Sequence, residues 1–268
     1  MIFTQKHLWT PPMQSAGTEG QLVQNLREQE AREKAGSEAR QKIEQETESE
    51  GEHSMLNEVQ QRLLDELITR YPVLTPIQPD ILKAYETLEE CYANGGKLLI
   101  AGNGGSCADA EHIVGELMKG FVKKRQLSED LQEKMKACDP SHGELLAKSL
   151  QGGLMAIALT GHAGLSTAFA NDVDADMIFA QQTCGYGCPG DVFLGISTSG
   201  NSKNVDYAVT VAKAKGLKVI GLTGKDGGTL GRRADVAIIV PEMETYKIQE
   251  LHLPVYHALC LMLEERFF

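Results

Sequence analysis

Two apolar runs in this chain empty into loops of glycine, serine and asparagine and are followed at once by helical patterns. The first reads LLIAGNGGS (Leu98–Ser106) and the second DVFLGISTSGNS (Asp191–Ser202). A strand that ends this way before a helix turns backbone N–H groups, hydroxyls and the positive end of the helix dipole toward one point. Such a loop holds a phosphate or sugar hydroxyls without a cationic pocket. Two of them on one sheet suit a ligand with a phosphate at one end and a polyol chain along its length. The same runs constrain the fold. KLLIAG, LMAIALTG, DVFLGIS, LKVIGLTG and ADVAIIV are near-continuous apolar segments separated by helical ones, as parallel strands are when helices cover both faces. The pattern predicts an α/β domain with three layers, N-terminal helices and a doubly wound parallel sheet of about five strands. Ligands belong at the carboxyl ends of those strands.

Ahead of this region the chain has a different character. Residues 1–54 hold ten Glu against six Lys and Arg and few large apolar side chains. Such a segment cannot bury enough surface to offset its ordering entropy, so it is expected to be disordered or a lone acidic helix. Helical spacing begins at Met55 with MLNEVQQRLLDELITRYPVL. The functional domain is therefore expected to run from 55 to 268, with 1–54 dispensable for activity and oligomeric state. A second helix runs from about Asp80 to Ala93, and a long one from about Glu244 to Glu265 closes the chain. The charged stretch 121–149 interrupts the alternation. It reads as a solvated helical insertion, with a lid or subunit contact as the other option.

A formal charge of −11 argues against a nucleic-acid partner, which needs a basic face. No apolar run approaches the ~18–20 residues of a membrane span. The N-terminus lacks a secretory pattern, and six scattered cysteines suit a reducing cytoplasm. Cys184 and Cys188 form the one close pair, either a solvent-side turn or half a metal site.

Both loops fail the better-known phosphate motifs. Gly102 and Gly104 begin a dinucleotide fingerprint, but Cys107 takes the third glycine's place, and Lys123–Arg125 stand where an acidic ribose ligand belongs. In the second loop Asn201 replaces the lysine of a nucleotide P-loop. That removes the charge needed for phosphoryl transfer and leaves Ser197, Thr198, Ser199 and Ser202 to cradle a phosphate or to form a structural turn. On the helix after the first loop, Asp109, His112 and Glu116 lie close together, with His112 and Glu116 on one face. The final helix carries Gln249, His252 and His257, a pattern that also suits packing, and Pro254 within it is expected to kink or loosen the backbone. Asn171-Asp172 reads as a turn or cap unless the fold brings it to the other loops.

In order along the chain, GNGGS, His112 and Glu116, Asn171-Asp172, STSGNS, LTGKDGG and QELHLPVYH resemble the sugar-isomerase (SIS) domain proteins, and closely the phosphoheptose isomerases, from about Met55 to the C-terminus. The resemblance implies an SIS-like fold and a cytoplasmic homotetramer with active sites between subunits. It implies ketose–aldose conversion of sedoheptulose 7-phosphate to D-glycero-D-manno-heptose 7-phosphate through an enediol. It places Asn103, Gly104, Gly105, Asn171, Asp172 and Gln249 on the sugar, and Ser197, Thr198, Ser199 and Ser202 on the phosphate. Glu116 becomes the catalytic base and His257 the catalytic acid, a residue that titrates in the useful range unaided. His112, Glu116, Gln249 and His257 become ligands of one zinc ion, a donor set that zinc accepts. Gln249 and His257 are separated by ~12 Å along an ideal helix, so one metal reaches both only by stretched side chains, a distorted helix or donors from different subunits. No nucleotide cofactor is implied. The chain departs from the family at Gly120, in place of an arginine after the glutamate, and at Tyr246, in place of an acidic residue. The alternatives are a non-catalytic SIS regulator that senses sugar phosphates or binds a protein such as a replication initiator, and an isomerase of another phosphosugar.

Overall fold

The computed structural model describes residues 56–268; the expectations for residues 1–54 lie outside the described residues. Helix α1 (Glu58–Arg70) starts where the Asn57 side chain accepts hydrogen bonds from the Val59 and Gln60 amides while the Asn57 amide donates to the Gln60 side chain, a capping box. A 3-10 turn over Pro72–Ile77 leads into α2 (Gln78–Ala93). The alternating core then runs β1 (Leu98–Gly102), α3 (Gly105–Met118), α4 (Glu129–Cys138), α5 (Gly143–Ser149), β2 (Ala156–Ala158), α6 (Ala163–Phe169), α7 (Ile178–Tyr186), β3 (Val192–Ser197), α8 (Lys203–Ala214), β4 (Lys218–Thr223), α9 (Gly228–Arg233), β5 (Val236–Ile239) and α10 (Thr245–Phe267).

The five strands form one parallel sheet in the order β2-β1-β3-β4-β5. Alternate side chains serve opposite faces. Leu98, Ile100, Leu194, Ile196 and Leu222 pack with α1, α2, α3 and α10. Leu99, Ala101, Phe193 and Val219 pack with α7, α8 and α9. The doubly wound three-layer α/β reading is met, with both layers of helices in place. The chain turns outward in opposite directions from β1 and β3. The carboxyl ends of these neighbouring strands therefore part to leave a crevice, where open α/β sheets bind ligands.

Helix α10 continues through Pro254; the ring costs the helix one hydrogen bond while its buried face supplies the packing that holds it. One expectation needs correction: the 121–149 insertion is solvated only in part. Helix α4 has no buried residue, but Arg125 is 1% exposed and lies against Glu264, itself fully buried. Cys184 and Cys188 are exposed free thiols, and the Cys188 amide closes a turn on Asp191.

Candidate active site

At the crevice, loop one is Asn103-Gly104 and loop two is Thr198–Ser202. A reciprocal amide pair joins them: Asn103 donates to Asn204 and Asn204 donates back, each at 2.9 Å. In loop two the Ser197 and Ser202 hydroxyls meet at 2.9 Å. Ser202 is the N-cap of α8 but makes no side-chain cap; its hydroxyl stays with Ser197, and while the Val205 amide donates to the Asn204 side chain at 3.0 Å, the Lys203 and Asn204 amides at the start of α8 face an anion. Ser199 accepts the Asn201 amide at 3.2 Å. Gly200 has φ +66°, and a Cβ there would run into the Gly227 carbonyl. The LTGKDGG segment thus presses directly on the phosphate loop. The Leu230 amide donates to the Gly200 carbonyl at 2.8 Å, and the Thr229 amide donates to the Asn201 side chain at 3.0 Å.

Helices α3 and α10 lie side by side behind the crevice. Gly105 has no room for a Cβ because the Gln249 amide occupies that place. Further along, His112 Nε2 lies 3.2 Å from Glu116 Oε1, while His112 Nδ1 lies 2.9 Å from the Tyr256 hydroxyl. Tyr256 donates to Asp109 at 3.3 Å. Having given its proton to Asp109, the phenol can only accept from His112 Nδ1–H. The His112 ring thus bridges Tyr256 and Glu116 through its two nitrogens. Lys119 also reaches Glu116, at 3.2 Å. Burial raises the Asp109 carboxyl above its ordinary range, against the pull of the Tyr256 hydrogen bond and of His112.

His257 packs its ring 5.0 Å from that of His112 and 5.3 Å from that of Phe121. Its Nε2 is buried with no hydrogen-bond partner. Burial lowers its pKa below the ordinary histidine value and His112 adds to this, with Glu116 opposing. The sequence placed this histidine in its unperturbed range; the structure moves it down. Arg125 finishes the region, donating to the Glu116 carbonyl at 2.8 Å, to the Leu117 carbonyl at 2.6 Å and to Glu264 at 2.8 Å. It caps the end of α3 on which Glu116 stands.

An SIS domain model matches residues 147–262. The phosphoheptose isomerase of Geotalea daltonii is 38% identical over 214 residues, which is 80% of this chain and 98% of that protein. The phosphoheptose isomerase of Aneurinibacillus thermoaerophilus is 40% identical over 179 residues, 67% of this chain and 77% of that protein. The chain belongs to the phosphoheptose isomerase family. Solved phosphoheptose isomerases from Neisseria gonorrhoeae and Francisella tularensis are 34% and 31% identical, each matching 75% of this chain and 94% of the other, with TM-scores of 0.59 and 0.60.

Against this family's implied site, the fold brings Asn103, Gly104 and Gly105 beside the Ser197–Ser202 cradle, and groups His112, Glu116 and His257. It does not bring the two groups together in one chain: Glu116 stands eleven residues beyond Gly105 on α3, about 16 Å along the axis. Asn171 and Asp172 are exposed in a π-helical turn (Ala170–Asp174) and bond to each other at 2.9 Å. The next turn is tied to α8 by the Asp176–Lys203 pair at 2.7 Å. The four residues expected to hold zinc do not assemble as a set. Zinc accepts the donors of His112, Glu116 and His257, and His257 Nε2 lacks a partner. Yet among the described residues no three His, Cys, Asp or Glu side chains form a metal-holding group, and Gln249 stays with Gly105, about two turns from His112. Tyr256, Asn204, Arg125 and Glu264 were not singled out from the sequence. Tyr256 carried one signal, its place immediately before His257; the others carried none.

Proposed function

We propose that the chain is a phosphoheptose isomerase, an aldose–ketose isomerase that converts sedoheptulose 7-phosphate to D-glycero-D-manno-heptose 7-phosphate. The observation that carries the reading is the His112–Glu116 contact beside the half-buried His257, whose Nε2 lacks a partner, in the same fold as a serine cradle at a helix N-terminus.

The phosphate binds at Ser197, Thr198, Ser199, Ser202 and the open amides of α8. The sugar hydroxyls lie along Asn103, Gly104, Gly105, Asn171, Asp172 and Gln249. Glu116 removes the C1 proton of the ketose, and the released electron pair forms the C1–C2 double bond while the C2 carbonyl oxygen takes a proton from His257. The resulting enediol gives its O1 proton back to His257 and receives the carbon-bound proton at C2 from Glu116, leaving the aldose. A lowered pKa makes protonated His257 the stronger donor and leaves its neutral form ready to accept. No step here runs through a metal.

The 16 Å between Gly105 and Glu116 along α3 supports a homo-oligomer, a tetramer, in which cradle and proton-transfer groups of one site come from different copies. A cytoplasmic location agrees with the free cysteines, and no helix among the described residues is long and apolar enough to cross a membrane. The test is turnover of sedoheptulose 7-phosphate by Glu116→Gln and His257→Ala, with folding checked by circular dichroism and with zinc added or chelated. Each variant is expected to lose isomerisation while staying folded; near-wild-type turnover in either sinks the assignment.

A further inference from the structure

Away from the crevice, the insertion encloses a second cavity of ≈ 320 Å³ between Arg125, α4, α5 and the segment ending at Gln151. In a chain of charge −11, four cations line it: Lys124, Arg125, Lys136 and Lys148. One carboxylate, Glu144, lies in the wall, 3.5 Å from Lys136, which also meets Glu133 at 3.0 Å. Lys124 and Lys148 are exposed and have no ion-pair partner among the described residues. The Gln126, Gln132 and Gln151 amides add neutral donors and acceptors. Two uncommitted ammonium groups beside amides in a cavity of small-molecule size match a compact anion with a polar body.

Arg125 closes the back wall, its side chain unexposed and spent on Glu264 and on the Glu116 and Leu117 carbonyls, so recognition in the cavity falls to the two free lysines.

We propose that this cavity binds a small phosphate-bearing molecule, separately from the serine cradle. The binding stands independently of the isomerase reading.

The experiment titrates inorganic phosphate into the full chain by calorimetry, alone and as the Lys124→Gln/Lys148→Gln and Ser197→Ala/Ser202→Ala variants. Two classes of site are expected. The lysine variant should weaken one by about tenfold or more, as loss of charged hydrogen bonds does, and the serine variant should weaken only the other. A single class of site, or two classes that the lysine variant leaves unchanged, overturns the proposal. A chain without isomerase activity still shows both classes by calorimetry, so failure of the isomerase reading is told apart from failure of this site.

Discussion

Replacing Arg125 by methionine and Glu264 by glutamine, singly and together, tests how the end of α3 is anchored. Both side chains are essentially unexposed. Glu264 accepts from the backbone amides of Phe121, Val122 and Lys123 at 2.8, 2.9 and 3.1 Å as well as from Arg125. Arg125 in turn satisfies two terminal carbonyls of α3 and lies 4.7 Å under the ring of Phe268. Removing one partner of a buried ion pair costs about 3–5 kcal/mol. For a domain of this size, at about 2–4 °C per kcal/mol, that is a fall of roughly 6–20 °C in Tm. Glu264→Gln should cost more than Arg125→Met, because an amide cannot accept four hydrogen bonds with an N–H₂ turned inward and the arginine is left unpaired. The double variant should remain well below wild type, since one amide oxygen cannot serve all three N–H groups that now share two carboxylate oxygens. Burial alone would raise the Glu264 pKa, but the amides and Arg125 outweigh it and hold it below the ordinary value. Its contribution is therefore present above the unfolded carboxylate pKa and is lost as pH falls through the lower folded one. Urea unfolding followed by circular dichroism at pH 7 and pH 4 measures these terms. An Arg125→Met variant within about 1 kcal/mol of wild type, or a Glu264→Gln variant the more stable of the two, refutes the reasoning.

Three further outcomes are expected. His252 is fully buried, donates to the Thr223 carbonyl at 3.1 Å, and is pushed by desolvation to about 4; between there and the unfolded value the denatured chain binds the extra proton, so stability falls with acidification by about 3 kcal/mol. His252→Asn should flatten that slope in urea titrations across pH 7 to 4, and an unchanged slope removes His252 as its source. Gly200→Ala forces a side chain into the left-handed region and against the Gly227 carbonyl, so KM for the phosphosugar should rise about tenfold or more in steady-state assays; an unaltered KM means the loop does not hold the phosphate. In a double-mutant cycle of Asn103→Ala and Asn204→Ala read on kcat/KM, the two changes should couple by about 0.5–3 kcal/mol, whereas additive effects mean the amide pair does not join the loops.

Much of this architecture could be read from residue order because buried parallel strands are apolar on both faces. DVFLGIS and LKVIGLTG stand out for that reason, and the helix expected after the first loop is present over Gly105–Met118. β2 was overestimated: LMAIALTG is apolar along its length, but an edge strand has one neighbour, and its pairing covers only Ala156–Ala158. The grouping of His112 with Glu116 follows from helical spacing, and their meeting with His257 from the way α10 closes over α3. Arg125 was hidden because a charge in FVKKRQ looks solvated, and the partner that buries it lies 139 residues on. The amide partner of Asn103 was hidden likewise, 101 residues away. That Gln249 faces Gly105 was hidden because linear spacing along a helix does not say which turn of the neighbouring helix faces it.

The reciprocal Asn103–Asn204 bond acts as a caliper. β1 and β3 are hydrogen-bonded neighbours, so their loops start about 4.8 Å apart, and the amide pair then locks that gap before any ligand arrives. A phosphate seated in one jaw fixes which carbon of a sugar lies at the other, and chains a carbon shorter or longer present the wrong atom there. Discrimination by length is thereby set by two asparagines that need touch no reacting atom. Widening or loosening the jaws, rather than changing the proton-transfer groups, is the route by which this scaffold would come to accept sugars of another size.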